Sequence, residues 1–171
     1  MIIIGIDPGC SGAIVVLKDT GEYVAHIEMP TVKDGKSSRV NAAAVGAFIR
    51  DTINAQPIHH MSLCHAFIEK VGAMPKQGVA SMFTFGDACG VVRGVVAGAG
   101  IPYTMITPQA WKKSAGLIGS EKDAARSRAI QLYPNLRALD AVGKGQALAD
   151  ALLIARHGRI HLGEPDKESL L

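Results

Sequence analysis

Residues 1–9 read Met-Ile-Ile-Ile-Gly-Ile-Asp-Pro-Gly. The β-branched run Ile2–Ile6 predicts a buried strand, and Pro8-Gly9 a turn that leaves Asp7 at the strand's end. A carboxylate at the end of an apolar strand is costly unless it is paired or bound to a cation. Gly12–Leu17 (GAIVVL) reads as a second strand. Asp19-Thr20-Gly21 is a hairpin-type turn, and Tyr23–Glu28 a third strand. The simplest arrangement of these three is antiparallel.

The next stretch, Pro30 to Ser38, is polar and glycine-containing and reads as a mobile loop. Helical spacing of Val40, Ala44, Ala47, Phe48 and Ile53 predicts a helix from Val40 to about Ala55. Met61–Glu69 is a fourth strand, again closed by an acid and followed by a loop, Lys70–Gly78, interrupted by glycine and proline. From Val79 to Ala99 small residues dominate, with Gly86, Gly90, Gly94 and Gly98 four apart. Glycine costs about 1 kcal/mol in a helix interior relative to alanine. Their recurrence therefore predicts a helix packed closely against the sheet or a partner subunit. Pro102–Ile106 is a fifth strand, and Pro108 opens a short helix to Ala115. Ser120 caps a helix over Glu121–Tyr133. Leu136–Gly145 is loop, Gln146–Ile160 the last helix, and 163–171 a frayed tail. Strands alternating with helices in this order predict an α/β fold with a mixed sheet, one domain over residues 1–162.

At 171 residues the chain can bury one real core, not two lobes closing over a substrate. Apolar residues make up 48% and charged residues 19%, which excludes a disordered chain. Aromatics at 5% argue against a row of stacked bases. Cys10, Cys64 and Cys89 form no CxxC pair, so neither a disulfide scaffold nor a thiolate zinc site is expected. The N-terminus lacks a basic region and meets a charge at Asp7, unlike a signal peptide or membrane span. A reducing cytoplasmic location and no membrane partner are the expectation. Net charge is +3, a basic bias compatible with nucleic acid but not diagnostic.

Three acids stand in apolar surroundings: Asp7, Glu69, and Asp150 within Ala147–Ala155. Brought together, they would raise one another's pKa values, and a divalent cation would relieve the repulsion. Hard oxygen donors in an open cluster suit Mg²⁺ or Mn²⁺ better than zinc. Each acid also has a bland reading. Asp7 could organise a turn, Glu69 could pair with Lys70, and Asp150 could pair with Arg126 or Arg156. His157, two turns beyond Asp150, could share its helix face or simply sit near a helix C-terminus. Trp111 reads as a packing anchor, and Phe83 and Phe85 as core, although these phenylalanines or Met74 could wedge a base step.

Five segments in order carry a family resemblance: MIIIGIDPGCSGAIVV, FIEKVGAMPKQGVASMFTFGDACGVVRGVV, IPYTMITPQAWKK, EKDAARSRAIQLYP and ADALLIARHG. Together they resemble RuvC-type Holliday-junction resolvases, in particular the small RuvC-like endonucleases of bacteriophages and prophages. The resemblance spans roughly residues 1–160. It implies a ribonuclease-H-like mixed five-stranded sheet flanked by helices and a homodimer, with the 79–99 helix at the dimer contact. The implied activity is Mg²⁺-dependent cutting of branched DNA such as four-way junctions, in the host cytoplasm if the chain is phage-encoded. Asp7, Glu69 and Asp150 match the family's carboxylate positions. The family carries a further acid one helical turn before the last. Here the candidate positions hold Gln146 and Ala147, and Asp140 is the nearest upstream acid.

Lys70, Lys76 and Gln77, in the loop leaving Glu69, are the expected DNA contacts, with Lys112, Lys113, Lys122 and Arg126 a second phosphate patch. Two other readings compete. An actin- or sugar-kinase-like phosphotransferase shares the strand–acid–glycine opening, but this chain has no GxxxxGK[ST] motif and too little length for a second lobe. A resolvase-like dimer that binds branched DNA without cutting fits the missing acid.

Overall fold

The N-terminal isoleucines lie at the centre of the sheet. In a computed structural model describing residues 1–57, 63–70, 72, 78–121, 123–141 and 143–162, β1 (Ile2–Asp7) pairs antiparallel with β2 (Ala13–Lys18). On β2's other side lies β3 (Tyr23–Glu28), also antiparallel. Then come a small hairpin of β4 (Thr31–Asp34) and β5 (Ser37–Val40), and helix α1 (Ala42–Asn54), capped by the Asn41 side chain. The chain returns as β6 (Cys64–Glu69), parallel to β1 on its free side. After α2 (Val79–Gly98) it adds β7 (Tyr103–Ile106), parallel to β6. The sheet order is β3-β2-β1-β6-β7, a mixed five-stranded sheet as expected. The remaining elements are α3 (Pro108–Ser114), α4 (Ala124–Leu132), a 3-10 turn over Arg137–Asp140 and α5 (Lys144–His161).

Alternation along the strands sorts two cores. Ile2, Ile4 and Ile6 of β1 and Ala66 and Ile68 of β6 pack with Val45 and Ile49 of α1 and Val92 and Val96 of α2. Ile3, Val15, Leu17 and Phe67 face the opposite way, onto Leu148, Leu152 and Ala155 of α5. Gly5 and Asp7 share the Ile3 side of β1, and Glu69 shares the Phe67 side of β6.

Helix α5 lies very close to this face. A Cβ on Gly5 would stand 2.2 Å from the Ala151 carbonyl oxygen and 2.4 Å from the Ala155 nitrogen. A Cβ on Gly158 would stand 2.1 Å from the Phe67 ring. The two glycines let helix backbone rest on β1 and helix against ring on β6.

Four expectations need correction. Residues 30–38 are not a loop: they hold most of the β4–β5 hairpin. It is tied to α2 by Arg39, whose Nε and Nη2 donate to Asp87 at 3.2 and 3.0 Å. Ser120 is not a cap, since α4 starts at Ala124 behind Asp123. Leu136–Gly145 contains the 3-10 turn and the first residues of α5. Phe83 is 78% exposed rather than core, whereas Phe85 is half-buried.

The glycines of α2 meet open space rather than the sheet. Among the described residues, no atom outside the helix's own backbone lies within 4 Å of a Cβ built on Gly86, Gly90, Gly94 or Gly98. Its core side is Ala88, Val92 and Val96. By length and composition alone α2 is apolar enough to cross a membrane, although that side lies buried on the sheet. The expected tail, residues 163–171, lies outside the described residues.

Candidate metal centre

Two strand ends and one helix assemble the site. The β1–β6 register sets Ile6 opposite Ile68, so the residues that follow, Asp7 and Glu69, end neighbouring parallel strands on one face. Ligands of open α/β sheets collect at such carboxyl ends. Helix α5 crosses β1 at Gly5 with Ala151, so Asp150, one residue earlier, joins the same edge.

The shared edge has an electrostatic consequence. Burial pushes the Asp7 carboxyl up to about 6, with repulsion from Glu69 adding to it and a hydrogen bond from the Gly9 backbone N–H opposing it. Burial raises Asp150 to about 7, reinforced by Asp7 and Glu69 and opposed by Lys112 and a Gln146 hydrogen bond. Among the described residues, no group of three or more His, Cys, Asp or Glu side chains stands close enough together to hold a metal ion as it is. The three carboxylates are within electrostatic reach of one another, yet stand open.

Two neighbours hold the acids. Trp111, 1% exposed in α3, donates its Nε1–H to Glu69 Oε1 at 2.8 Å. Thr107 caps α3 and Pro108 starts it, which fixes where the indole points. Gln146, one turn before Asp150, donates its Nε2–H to Asp150 Oδ1 at 3.0 Å. Its Oε1 is buried and accepts no hydrogen bond among the described residues. A cavity of about 360 Å³, lined in part by Gln109, Lys112, Ser120, Gln146 and Asp150, opens beside this pair.

The donor chemistry of these residues, rather than their present spacing, suits a hard divalent cation. The donors are all oxygen, Asp7 and Asp150 are partly buried and mutually repelled, and Gln146 Oε1 is an orphaned neutral acceptor next to them. Mg²⁺ keeps several waters and needs few protein ligands, so an open cluster suits it.

The other sequence-derived candidates scatter around the centre. Lys70 is exposed directly after Glu69, its backbone N–H bonded to the Ile106 carbonyl at 2.6 Å. Lys112 and Lys113 are exposed in the last turn of α3, with Lys112 Nζ 5.4 Å from the Trp111 ring centroid. Arg126 is half-buried and donates to the carbonyls of Leu139 and Asp140 at 3.4 and 3.3 Å. Lys76, Gln77, Lys122 and Met74 lie outside the described residues. Asp140 is exposed and ion-paired with Arg137 at 3.3 Å, so it does not supply the missing acid. From sequence, Trp111 reads as a packing anchor. Its bond to Glu69 spans 42 residues, and no local pattern reports such a contact.

A sheet of this order, carrying acids at the carboxyl ends of its central parallel strands under a crossing helix, has the RuvC-like variant of the ribonuclease-H-like fold. Two solved structures share it. "Thermus thermophilus RuvC structure" aligns with TM-score 0.56 and 17% identity, covering 97% of this chain and 100% of that one. "T. thermophilus RuvC in complex with Holliday junction substrate" aligns with TM-score 0.52 and 15% identity, covering 96% and 98%. No protein-family model and no curated protein matches the sequence. At such identities the likeness establishes the fold.

Proposed function

We propose that this chain is a divalent-metal-dependent endodeoxyribonuclease of the small phage type that hydrolyses phosphodiester bonds in branched DNA, resolving four-way junctions as a homodimer. The single observation that carries this reading is the gathering of Asp7, Glu69 and Asp150 at one sheet edge in a RuvC-like fold. The neighbour solved with a Holliday junction supports the choice of branched DNA.

Asp7, Glu69 and Asp150 would hold Mg²⁺, with Mn²⁺ a substitute. The bound cation would supply activation of a water and stabilisation of the leaving oxygen. Trp111 and Gln146 fix the acids' orientation. Lys112, beside Asp150, would neutralise a phosphate, with Lys70 doing so on the Glu69 side. Lys113, Arg126, Lys76, Gln77 and Lys122 extend the proposed DNA contact.

The homodimer reading rests on α2. Val79 and Phe83 are 86% and 78% exposed, and the open glycines continue along the helix. A two-fold pair of sites would match the approximate symmetry of a four-way junction. Sedimentation at micromolar concentration should give a dimer, and Phe83→Glu should shift it toward monomer. A monomeric wild-type chain would remove the paired-incision part.

Gln146 favours a second reading, a dimer that grips branched DNA but cuts weakly. A synthetic four-way junction decides between them. Paired incisions are expected with Mg²⁺ or Mn²⁺ and none after EDTA, with binding retained. Binding without incision under either metal would select the second reading.

A further inference from the structure

We propose that α3 is a brace that sets the spacing of Glu69 from Asp150, with Trp111, Ser114 and His157 as positioning residues. The inference rests on the reading of Glu69 and Asp150 as metal-holding acids, and deepens it.

Three hydrogen bonds form a continuous path across the short helix. At one end Trp111 Nε1–H donates to Glu69 Oε1 at 2.8 Å. One turn on, Ser114 Oγ–H donates to the Trp111 carbonyl at 2.9 Å. A hydroxyl has one proton to give. Ser114 Oγ must therefore accept in its 2.8 Å contact with His157 Nδ1, and His157 is held as the Nδ1–H form. Burial, then repulsion from His161, lowers the His157 pKa. His157 does not need its charge here, because Nδ1 carries a proton in both the neutral Nδ1–H and the cationic ring.

His157 sits seven residues after Asp150 on α5, two turns along nearly the same face. One end of α3 thus grips the strand acid, and the other grips the helix that carries the second acid. The grip on Glu69 is dry, since Trp111 is 1% exposed, so water competes poorly for the indole proton. Lys112, the next residue, stands over the Trp111 ring, and its charge acts on Asp150. A metal ligand's hydrogen-bond partner fixes its orientation, and losing such a partner weakens metal binding by about 10–100-fold.

Trp111 is the one tryptophan of the chain, which makes the test direct. In ¹⁵N-labelled full-length protein without metal, a single indole N–H resonance is expected, protected from exchange. Glu69→Gln should move it. Ser114→Ala should also move it, although that side chain is exposed and remote from Glu69, and Ser114→Thr should restore it. In Mn²⁺ titrations followed by electron paramagnetic resonance, Trp111→Phe and Ser114→Ala should bind about 10–100-fold more weakly than wild type, with Ser114→Thr near wild type. An indole resonance indifferent to Ser114→Ala overturns the brace, and so does wild-type Mn²⁺ affinity in both variants. A wild-type chain that binds no Mn²⁺ sinks the metal reading instead, and the indole resonance then decides the brace by itself.

Discussion

Asp7→Asn is expected to abolish junction cleavage, by at least about 10³-fold, while leaving junction binding within a few-fold of wild type. The amide matches the carboxylate in size and can still accept the Gly9 backbone N–H, so the turn after β1 should survive. What it lacks is negative charge at the point where β1, β6 and α5 meet. Phosphate contacts by lysine and arginine are untouched, and they dominate DNA affinity. Retained cutting by this variant would remove Asp7 from the mechanism.

The same substitution has a second readout with a definite sign. Asp7 and Asp150 titrate at about 6 and about 7 in the fold, against 3.8 ordinarily. Between the ordinary value and the raised one, the native state binds more protons than the unfolded chain. The contribution of these two acids to the stability of the metal-free protein therefore falls as pH rises from about 4 to about 7, against the opposite contribution of His26, His65 and His157, whose pKa values burial lowers. The pair accounts for a loss on the order of 3 kcal/mol between pH 5 and pH 8. Asp7→Asn removes one partly buried charge and relieves its neighbour. Its Tm at pH 8 should exceed wild type by roughly 3–8 °C, with a shallower pH dependence. Mg²⁺ should flatten the wild-type profile in the same direction. A Tm difference between Asp7→Asn and wild type that does not grow from pH 5 to pH 8 would contradict the repulsion.

The second large effect belongs to Gly5. Gly5→Ala adds one methyl group, which would meet the backbone of α5 at 2.2 Å. Neither partner is a flexible side chain, so the helix must lift from β1. Overpacking usually costs about 1–3 kcal/mol, and this contact, backbone on backbone at the sheet centre, belongs at or above the top of that range. For a domain of this size, about 3 kcal/mol corresponds to a fall in Tm of roughly 6–12 °C. The lifted helix takes Asp150 with it, so Mn²⁺ affinity should drop together with stability. A variant with wild-type Tm and wild-type Mn²⁺ affinity would mean that the close crossing does not place Asp150.

The parts that sequence could report are those where burial imposes a pattern. Ile2–Ile6 is buried on both faces of a central strand, so it is a continuous apolar run with its acid conspicuous at the end. Glu69 and Asp150 stand out for the same reason. The β4–β5 hairpin left no such mark, because Thr31–Asp34 is exposed throughout and shows no alternation. What holds it is the Arg39–Asp87 pair, 48 residues apart, and the Asn41 N–H bonded to the Pro30 carbonyl. Ser120 has the chemistry of a cap, yet α4 starts only at Ala124, whose N–H first bonds the Glu121 carbonyl at 3.1 Å in a separate turn. The α2 glycines were read correctly as a helix, but spacing cannot tell which side of a helix meets the core. Trp111 and Ser114 brace the site through contacts that form only once α3 docks.

The most direct test of the central claim is anomalous diffraction from crystals soaked in Mn²⁺. A peak ringed by the carboxylates of Asp7, Glu69 and Asp150 is the expected result. Ordered side chains with no peak among them at millimolar Mn²⁺ would contradict the account.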